Sequence, residues 1–388
     1  MPSFFQPALQ LALLLPLSLV SSAAPTCSDV VIPVTAKAEV HDISLPGNVL
    51  EDPTDVQNLL NSLLGIVDTL YPAIPVEGTY DISARYCEPE NKVPEHSDTI
   101  QLLVHGATYT NTYWSGLGLP EDEAQQYSWV DYASKQGYAT LSIDRLGAGY
   151  SSRPDPLLEV QTNMEAEVMH EIILQLRGET ENTISNRSFS KIVYVGHSLG
   201  AFIGRILTQT HPSDVDGLIL TGQSNTLLQN APVLLGLMLS PAPIMAPDQF
   251  GGLSPLYLTR GSESGHRKAF YGLEGTFDPA FAAHDFETKN TVTVGEMATL
   301  FRGFLSSDDY AGFVHVINGE IDTLLCEGPG GVCSDGVEGS TAKVEESYPN
   351  VKGFSYDVIA ETGHCLNLHY TAEKTFKAAH EFLNETGF

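Results

Sequence analysis

The chain has 388 residues, of which 42% are hydrophobic, so it has enough apolar material for a packed core and is not disordered throughout. It contains 19 Lys and Arg against 48 Asp and Glu, which gives a formal net charge of −29. Because so acidic a surface repels phosphate backbones and anionic lipid, we expect neither nucleic acid nor an anionic membrane as a partner. The length allows one large domain or two smaller ones.

The N-terminal segment predicts export. Residues 8–20 are almost wholly apolar and are followed by the small residues Ser22–Ala24, as in a signal peptide over residues 1–24. This run is too short to span a membrane, and no second run of spanning length follows it. The positive charge that usually precedes such a run is here only the α-amino group, since the first Lys or Arg is Lys37. We expect a secreted, extracellular mature chain of residues 25–388 without a stable membrane anchor.

All five cysteines lie beyond the predicted signal peptide and should largely pair in an oxidising compartment, although spacing alone does not determine connectivity. Cys326 and Cys333 flank a short glycine-rich loop, and this pair is the first choice. A Cys27–Cys87 bond would tie the N-terminal segment to the domain and leave Cys365 free; a Cys326–Cys365 bond is the alternative. Two glycosylation sequons are also consistent with export, at Asn186 and Asn384.

Short apolar runs alternate with helical patterns along the chain, which is typical of βαβ units around a parallel sheet. Several of these runs are continuously aliphatic, as buried parallel strands are. Glu165–Arg177 carries the pattern of an amphipathic helix, and Phe202–Thr208 is also predicted to be helical. The predicted strands, in chain order, are Tyr80–Tyr86, Ile100–His105, Ala139–Ile143, Ile192–Val195, Leu218–Thr221, Phe313–Ile317 and Phe354–Ile359.

The segment at about residues 223–301 interrupts this alternation. It is rich in Pro, Gly and apolar residues, it shows no strand pattern, and it is too long for one structureless loop. We interpret it as a helical lid inserted over the carboxyl edge of the sheet, within a single domain of residues 25–388. The alternative is a set of connecting helices packed on the flank of the sheet.

The sequence Gly196-His197-Ser198-Leu199-Gly200 predicts a nucleophile at Ser198. Gly-x-Ser-x-Gly alone is a weak signal, but here an apolar run leads into it and a helical pattern leads out, which is the strand–turn–helix setting that the motif requires. A nucleophile lifted clear of the sheet needs a strained backbone with small neighbours, which Gly196 and Gly200 provide. The helix N-terminus beneath Ser198 also favours a developing negative charge.

A serine hydroxyl is a poor nucleophile without a base, and His364 is the best candidate. It follows the last predicted strand and a short loop, which places it at the carboxyl edge of the sheet. His369 falls in the expected closing helix, and the position of His197 in the turn directs its side chain elsewhere. His170 and His211 lie in or just after helices, where solvated or core histidines are usual.

The base needs an acid to hold its tautomer, and Asp322 is the predicted partner. It lies just past the strand Phe313–Ile317, in Asn318-Gly319-Glu320-Ile321-Asp322. The resulting chain order of serine, aspartate and histidine is that of α/β-hydrolases. Glu320 is the nearest rival, and Asp357 is disfavoured because it would lie within the last strand.

Two backbone donors are needed for the oxyanion of an acyl-transfer reaction. The amide of Leu199 is one candidate. The other is the amide of Ala107, in the loop after Ile100–His105, where Gly106 lets the backbone turn toward the site. His105 is expected to brace this loop. No spacing of His, Cys and Glu typical of zinc sites occurs, so we expect no metal.

Together these motifs resemble the α/β-hydrolase superfamily, and within it the small-lidded AB hydrolase-1 type. The resemblance extends from about Tyr80 to the C-terminus and implies a mostly parallel eight-stranded sheet, helices on both faces and no cofactor. Family members with Asp as nucleophile act on epoxides or haloalkanes, and Ser198 argues against those reactions. The segment from Tyr80 to Pro89, with the N-terminal signal, is also similar to uncharacterised secreted fungal members. The matching motifs are His105–Ala107, Asp144–Ser151, the Ser198 turn, Gly319–Asp322 and Gly363–His364.

The leading functional hypothesis is a serine hydrolase that cleaves carboxylic esters through an acyl-enzyme on Ser198. Lactone opening, amide or peptide cleavage and a secondary-metabolite cyclisation use the same site and stay open. So does a catalytically silent binding protein on this scaffold. A thiol enzyme based on Cys365 is disfavoured, because the side chains of adjacent residues diverge. The expected partner is a small ester with a hydrophobic acyl or aryl part, since the predicted lid carries apolar and aromatic residues: Phe250, Tyr257, Phe270 and Tyr271.

Overall fold

The fold is described from a computed structural model over residues 24–43, 53–63, 67–225, 235–326, 333 and 339–388. Nearly all of the predicted signal peptide lies outside these residues. So do the glycine-rich loop between Cys326 and Cys333 and residues 226–234 at the start of the predicted lid.

An eight-stranded sheet forms the centre of the molecule, with the strand order β1-β2-β4-β3-β5-β6-β10-β11. β1 pairs antiparallel with β2, and β2 with β4, whereas the other neighbours in this sheet are parallel. The carboxyl ends of the parallel strands therefore meet at one edge, where ligands bind in open α/β sheets. The strands of the described residues are β1 Thr26–His41, β2 Ala73–Glu88, β3 Thr99–Val104, β4 Ala139–Ile143, β5 Lys191–His197, β6 Gly217–Thr221, β7 Ser240–Pro241, β8 Tyr257–Thr259, β9 Val292–Thr293, β10 Phe313–Gly319 and β11 Gly353–Ile359.

Each of the seven predicted strands lies within or overlaps an observed strand of the central sheet, but sequence analysis missed β1 and the first half of β2. In β1, Ile32, Val34 and Val40 are buried and alternate with exposed residues, which is the pattern of a strand with one face on the core. Alanines and Pro33 dilute that pattern. The proline is tolerated because β1 is an edge strand.

Helices pack against the sheet in two groups. In the first group α5 contacts β1, α6 contacts β5, and the two helices contact each other. In the second group α4 contacts β4, α12 contacts β10, and these two helices also contact each other. Both predicted helices are present, within α5 and α6. The helices are α1 Pro53–Leu63, α2 Val67–Leu70, α3 Glu121–Ala124, α4 Trp129–Lys135, α5 Thr162–Arg177, α6 Leu199–Thr210, α7 Ala242–Met245, α8 Pro247–Phe250, α9 Glu263–His266, α10 Pro279–Glu287, α11 Val294–Thr299 and α12 Ala372–Thr386. Shorter 3₁₀ turns are Pro94–His96, Asn111–Trp114, Gly116–Gly118, Gln125–Tyr127, Leu300–Phe304, Ala342–Ser347 and Leu366–Leu368, and a π-turn spans Arg267–Tyr271.

The segment between β6 and β10 differs in part from the predicted all-helical insertion. Besides α7 to α11 it contains a small antiparallel sheet of β7, β8 and β9. These strands are only two or three residues long, which is too short for a periodic pattern to show in the sequence.

Two disulfides are present, Cys27–Cys87 and Cys326–Cys333, and Cys365 is free and buried. This confirms the first-choice pairing. Cys27 and Cys87 lie directly opposite each other in the β1–β2 register, so the bond fastens the edge strand to the sheet. None of the described helices combines the length and apolar character needed to cross a membrane.

Candidate active site

Ser198 lies in a strained turn between β5 and α6, at the carboxyl edge of the sheet. Its backbone has φ 52° and ψ −117°, a conformation that costs a non-glycine residue about 1–3 kcal/mol. The Ser198 N–H donates to the carbonyl of Thr221 on the neighbouring strand, at 2.9 Å. This bond and the start of α6 hold the turn, so the strained backbone presents the Ser198 hydroxyl above the sheet.

Two glycines allow the elements around Ser198 to approach closely. A Cβ at Gly200 would lie 2.2 Å from the carbonyl oxygen of Val104, which shows that α6 packs directly onto the end of β3. A Cβ at Gly106 would lie 3.0 Å from the Cβ of Ser198. The loop after β3 therefore rests against the serine, and a side chain at either position would separate the two.

Ser198, His364 and Asp322 form one chain of hydrogen bonds. His364 Nε2 lies 2.9 Å from Ser198 Oγ, and His364 Nδ1 lies 2.7 Å from Asp322 Oδ2. The His364 and Asp322 side chains are 1% and 0% exposed. Because the Asp322 carboxylate accepts the Nδ1 proton, Nε2 is left to accept the proton of Ser198. The three residues come from three separate loops, and the fold brings all of them together.

The Asp322 carboxylate is fixed on both of its oxygens. While Oδ2 faces His364, Oδ1 accepts the backbone N–H groups of Leu324 and Leu325, each at 3.0 Å. The Cys326–Cys333 disulfide lies just beyond this turn, and the Cys333 N–H donates to the carbonyl of Glu320 at 2.9 Å. The turn that carries the acid is thus closed on itself, which orients the carboxylate before substrate arrives.

His369 supports the loop that carries His364, a role that sequence analysis did not assign to it. Its Nε2 accepts the Gly363 N–H at 3.0 Å, and its Nδ1 lies 2.9 Å from the Cys365 carbonyl. The two bonds thus bracket His364. The only sequence signal was the spacing of five residues from His364, which does not reveal that the chain folds back on itself.

The rival acids and bases make other contacts. Glu320 Oε2 accepts the backbone N–H of Glu361, and Asp357 Oδ2 lies 3.4 Å from Nε2 of His315. The His197 ring stacks on Tyr113 with ring centroids 4.5 Å apart. Burial, together with the neighbouring His364 and His105, lowers the pKa of His197 well below its ordinary value, so it is a neutral packing residue.

Cys365 is poorly suited to be a nucleophile. Burial, and then the nearby Asp285, raise the pKa of its thiol well above the ordinary value. The Sγ atom lies 3.1 Å from the hydroxyl of Tyr109. A thiol with a raised pKa supplies little thiolate at neutral pH, which argues against the thiol-enzyme hypothesis.

The two predicted oxyanion donors flank Ser198. Ala107 and Leu199 line the same cavity as the serine, and Leu199 is the first residue of α6, whose N–H lacks a partner within the helix. His105 braces the loop as expected: its Nε2 accepts the Arg145 N–H at 3.1 Å and its Nδ1 lies 2.8 Å from the Gly106 carbonyl. Burial lowers the pKa of His105 well below its ordinary value, so the brace is uncharged.

A buried ion cluster behind this loop was not predicted. The Arg145 guanidinium donates to Glu165 of α5 at 2.7 Å and also to Glu296 of α11. Its second amino group lies 3.5 Å from the Gly106 carbonyl. Burial, and then the neighbouring Glu296, raise the pKa of Glu165 well above its ordinary value despite the opposing Arg145. The cluster joins the loop after β4, α5 and the insertion beneath the candidate oxyanion loop.

A second buried cluster connects the insertion to the loop of His364. Asp285 Oδ1 binds Arg260 at 3.1 Å, and Oδ2 accepts the hydroxyls of Tyr109 and Tyr271, each at 2.8 Å. Burial opposes ionisation of Asp285, but Arg260 and the other groups outweigh it and hold the pKa of the carboxyl below its ordinary value. The Cys365 N–H also donates to the carbonyl of Phe270, at 2.9 Å. The insertion is thus bonded to the residue next to His364.

The cavity at Ser198 is apolar and small, with a volume of about 50 Å³. Of its lining residues that the structure describes, Ser198 and Thr108 carry polar side chains and none is charged. Thr108 has φ 62° and its hydroxyl donates to the Ala107 carbonyl at 2.6 Å, a feature without a sequence signal. The apolar lining comes from the insertion, α6 and the Asp322 turn: Leu199, Phe202, Leu237, Leu239, Phe270, Met297, Leu300, Leu324 and Leu325, with Ala107.

Comparisons with known proteins agree with this architecture. A family model described as alpha/beta hydrolase fold matches residues 116–248. A bromoperoxidase from Bacillus anthracis is similar in structure, with 16% identity, a TM-score of 0.52 and coverage of 79% of this chain and 96% of that chain. No curated protein sequence matched the chain.

Two solved structures with ester-related names are similar as well. An esterase from Thermogutta terrifontis has 15% identity, a TM-score of 0.51 and coverage of 79% of this chain and 95% of that chain. A soluble variant of a monoglyceride lipase from Saccharomyces cerevisiae, in complex with a substrate analog, has 14% identity, a TM-score of 0.52 and coverage of 79% and 92%. At such identities the likeness establishes the fold alone, and that fold is the α/β-hydrolase fold.

Proposed function

We propose that this α/β-hydrolase-fold protein is a carboxylic-ester hydrolase with Ser198 as nucleophile, His364 as base and Asp322 as the acid that orients it. The observation that carries the proposal is the hydrogen-bond chain of 2.9 Å and 2.7 Å that ends at Ser198, which lines an apolar cavity. The ester-related names of two solved structures support the same class of reaction. A silent binding protein would not require so strained a serine or so closely aligned a base.

The proposed chemistry follows from the positions of these groups. Ser198 Oγ attacks the ester carbonyl while its proton moves to His364 Nε2, and the amides of Leu199 and Ala107 stabilise the oxyanion. The alcohol leaves with the proton of His364, and the acyl group stays on Ser198. Water then attacks the acyl-enzyme by the same steps and releases the acid. Asp322 stays ionised and stabilises the imidazolium throughout.

The cavity favours a neutral, hydrophobic acyl or aryl group. Five described lining residues come from the segment between β6 and β10, which we propose acts as the lid. A charged group placed among them would lose its hydration without gaining a partner. They are Leu237, Leu239, Phe270, Met297 and Leu300.

Hydrolysis of two esters with acyl chains of equal length tests this proposal. We expect kcat/KM for p-nitrophenyl hexanoate to exceed that for p-nitrophenyl 6-aminohexanoate by at least about tenfold, because the ammonium group would be desolvated in the cavity. The acidic surface attracts the cationic ester, so steering works against the expected result and makes the test stricter.

Ser198→Ala gives the background rate for both substrates. Equal kcat/KM values would contradict an apolar acyl site. Turnover of lactones or aminoacyl amides, with no turnover of either ester, would contradict the ester assignment and favour the other reactions of the same triad.

We also propose that the protein is secreted and extracellular, after removal of residues 1–24. The two disulfides support an oxidising compartment. The sequon residues Asn186 and Asn384 are both exposed, as glycosylation requires. The proposed partner is then a small extracellular ester. Because the chain is strongly acidic, we do not expect it to bind nucleic acid.

A further inference from the structure

Two histidines that the ester chemistry does not use meet on the surface between α5 and the turn before β6. His170 lies on α5, and His211 directly follows α6. Their rings stack with centroids 3.7 Å apart and planes inclined by 9°. We call these two residues, together with Asp214 and Glu167, the His170–His211 cluster.

Each histidine of this cluster has its own carboxylate. His170 Nδ1 lies 2.8 Å from Asp214 Oδ2, and His211 Nε2 lies 3.0 Å from Glu167 Oε2. The four side chains are between 11% and 24% exposed, so they are shielded on most sides yet open to solvent. Of the two contacts, that of Glu167 with His211 is of the kind by which an outer carboxylate orients a metal-ligating imidazole.

The donor atoms converge closely enough to share one ion. One ligand atom each from His170, His211 and Asp214 lies within 4.8 Å of the others. Zinc–nitrogen and zinc–oxygen bonds are about 2.0–2.2 Å long, so ligands of one tetrahedral ion lie about 3–4 Å apart. The three atoms lie within about 2 Å of that spacing, and rotation of the stacked rings and of the Asp214 side chain on binding would bring them onto one centre.

The backbone that carries the ligands is held in place. The Asp214 N–H donates to the His211 carbonyl at 3.1 Å. Arg177, two turns further along α5, donates to the Asp214 carbonyl at 2.7 Å and to Asp216 at 2.9 Å. Its charge is thus paired with Asp216, and its contact with Asp214 is through the main chain. Arg177 therefore does not neutralise the Asp214 carboxylate, whose Oδ2 contacts His170.

We propose that the His170–His211 cluster is a binding site for a divalent transition-metal ion of the zinc class. Two imidazoles and one carboxylate are a ligand set that Zn²⁺, Cu²⁺ and Ni²⁺ prefer, whereas Mg²⁺ and Ca²⁺ prefer oxygen ligands throughout. His170, His211 and Asp214 are the direct ligands. The Glu167 carboxylate accepts a hydrogen bond from the His211 ring. Glu167 is therefore a positioning residue, which orients that ring toward the metal ion. Water completes the coordination.

The proposed metal site lies away from Ser198, so its role would be structural and not catalytic. His211 lies at the far end of α6 from Ser198, and a helix of 12 residues is about 18 Å long. A metal ion there does not reach the groups proposed to react. It would instead connect α5 to the turn between α6 and β6. The proposal is therefore independent of the ester hydrolysis.

Calorimetric titration of the whole chain, after dialysis against a chelator, tests the site directly. We expect one saturable Zn²⁺ per chain and no saturable Mg²⁺. Because Zn²⁺ would bind the folded state, we also expect the unfolding temperature to rise by about 3–6 °C at a free Zn²⁺ concentration about 100 times Kd.

Three conservative variants separate this site from other zinc-binding groups. His170→Gln and His211→Gln each remove a direct ligand, so we expect each to weaken Zn²⁺ binding by more than about tenfold. Glu167→Gln removes the carboxylate that orients His211, with an expected loss of about 10–100-fold. His284→Gln is the matched control, since this half-buried histidine contacts the Leu117 carbonyl on another part of the surface. The Zn²⁺ affinity of the His284→Gln variant should equal that of the wild-type chain.

Near-ultraviolet circular dichroism in chelator shows whether each variant is folded, so a folding failure is not mistaken for lost binding. The proposal is overturned by Zn²⁺ binding to the wild-type chain weaker than about 1 mM. It is equally overturned by His170→Gln and His211→Gln variants that fold and bind Zn²⁺ as tightly as the wild type. Either result would leave the cluster as two hydrogen-bonded histidine–carboxylate pairs.

Discussion

At the scale of single residues, the proposed mechanism depends on the Asp322 carboxylate. One oxygen faces His364 Nδ1 at 2.7 Å, and the other accepts two backbone amides. Replacement of the carboxylate by an amide keeps the shape of the side chain but adds a hydrogen-bond donor. An asparagine amide can donate to Nδ1, and the histidine then carries its proton on Nε2, where it cannot accept one from Ser198.

Asp322→Asn should therefore lower kcat for ester hydrolysis by about 10³–10⁴-fold with little change in KM. Glu320→Gln is the matched control, because Glu320 is two residues away and its carboxylate binds the Glu361 backbone instead. Steady-state kinetics of ester hydrolysis give kcat and KM for both variants. An equal loss in both variants, or a loss confined to Glu320→Gln, would show that the acid is misassigned.

At the scale of elements, the insertion is bonded to the catalytic loops through buried charges. Asp285 is enclosed by Arg260, by the hydroxyls of Tyr109 and Tyr271, and by His266 at 3.5 Å. Tyr109 belongs to the loop after β3, which also carries Ala107, and the other three residues belong to the insertion. The cluster thus sets the position of the insertion relative to the reacting groups.

Asp285→Asn should lower the free energy of unfolding by about 3–5 kcal/mol, because it leaves the buried Arg260 guanidinium without a counter-charge. Arg267→Gln breaks ion pairs in the same insertion whose carboxylates are more than half exposed, and should cost about 1 kcal/mol or less. Denaturant unfolding of both variants measures the difference. Equal costs would contradict the view that the Asp285 cluster fastens the insertion.

The success of prediction at the element scale follows from the kind of pattern each element carries. Strands such as Ala139–Ile143 are buried on both faces and therefore appear as continuous apolar runs. The long edge strand Thr26–His41 alternates, and its buried positions include small alanines, so it was missed. The strands of the β7–β9 sheet are two or three residues long, which is too short for any local periodicity.

At the scale of the whole molecule, the fold assembles sites from residues that are distant in sequence. Ser198, Asp322 and His364 were predictable because each follows a strand, and parallel strands present their carboxyl ends at one edge. The Asp285 cluster and the His170–His211 cluster were not, since their members come from separate helices and loops. The expectation of no metal rested on spacing along the chain, and spacing does not reveal side chains such as the proposed ligands His170 and His211, which meet only after folding.

The central claim is that Ser198 is the nucleophile, and covalent labelling tests it most directly. The folded chain is treated with a fluorophosphonate, and the modified residue is located by peptide mass spectrometry. Because His364 and the proposed oxyanion donors activate Ser198 alone, we predict one adduct, on Ser198. We predict none in Ser198→Ala and full labelling in Ser264→Ala, a variant of an exposed serine on the insertion. An adduct on another residue, equal labelling of Ser198→Ala, or no adduct on the folded wild-type chain would contradict the account.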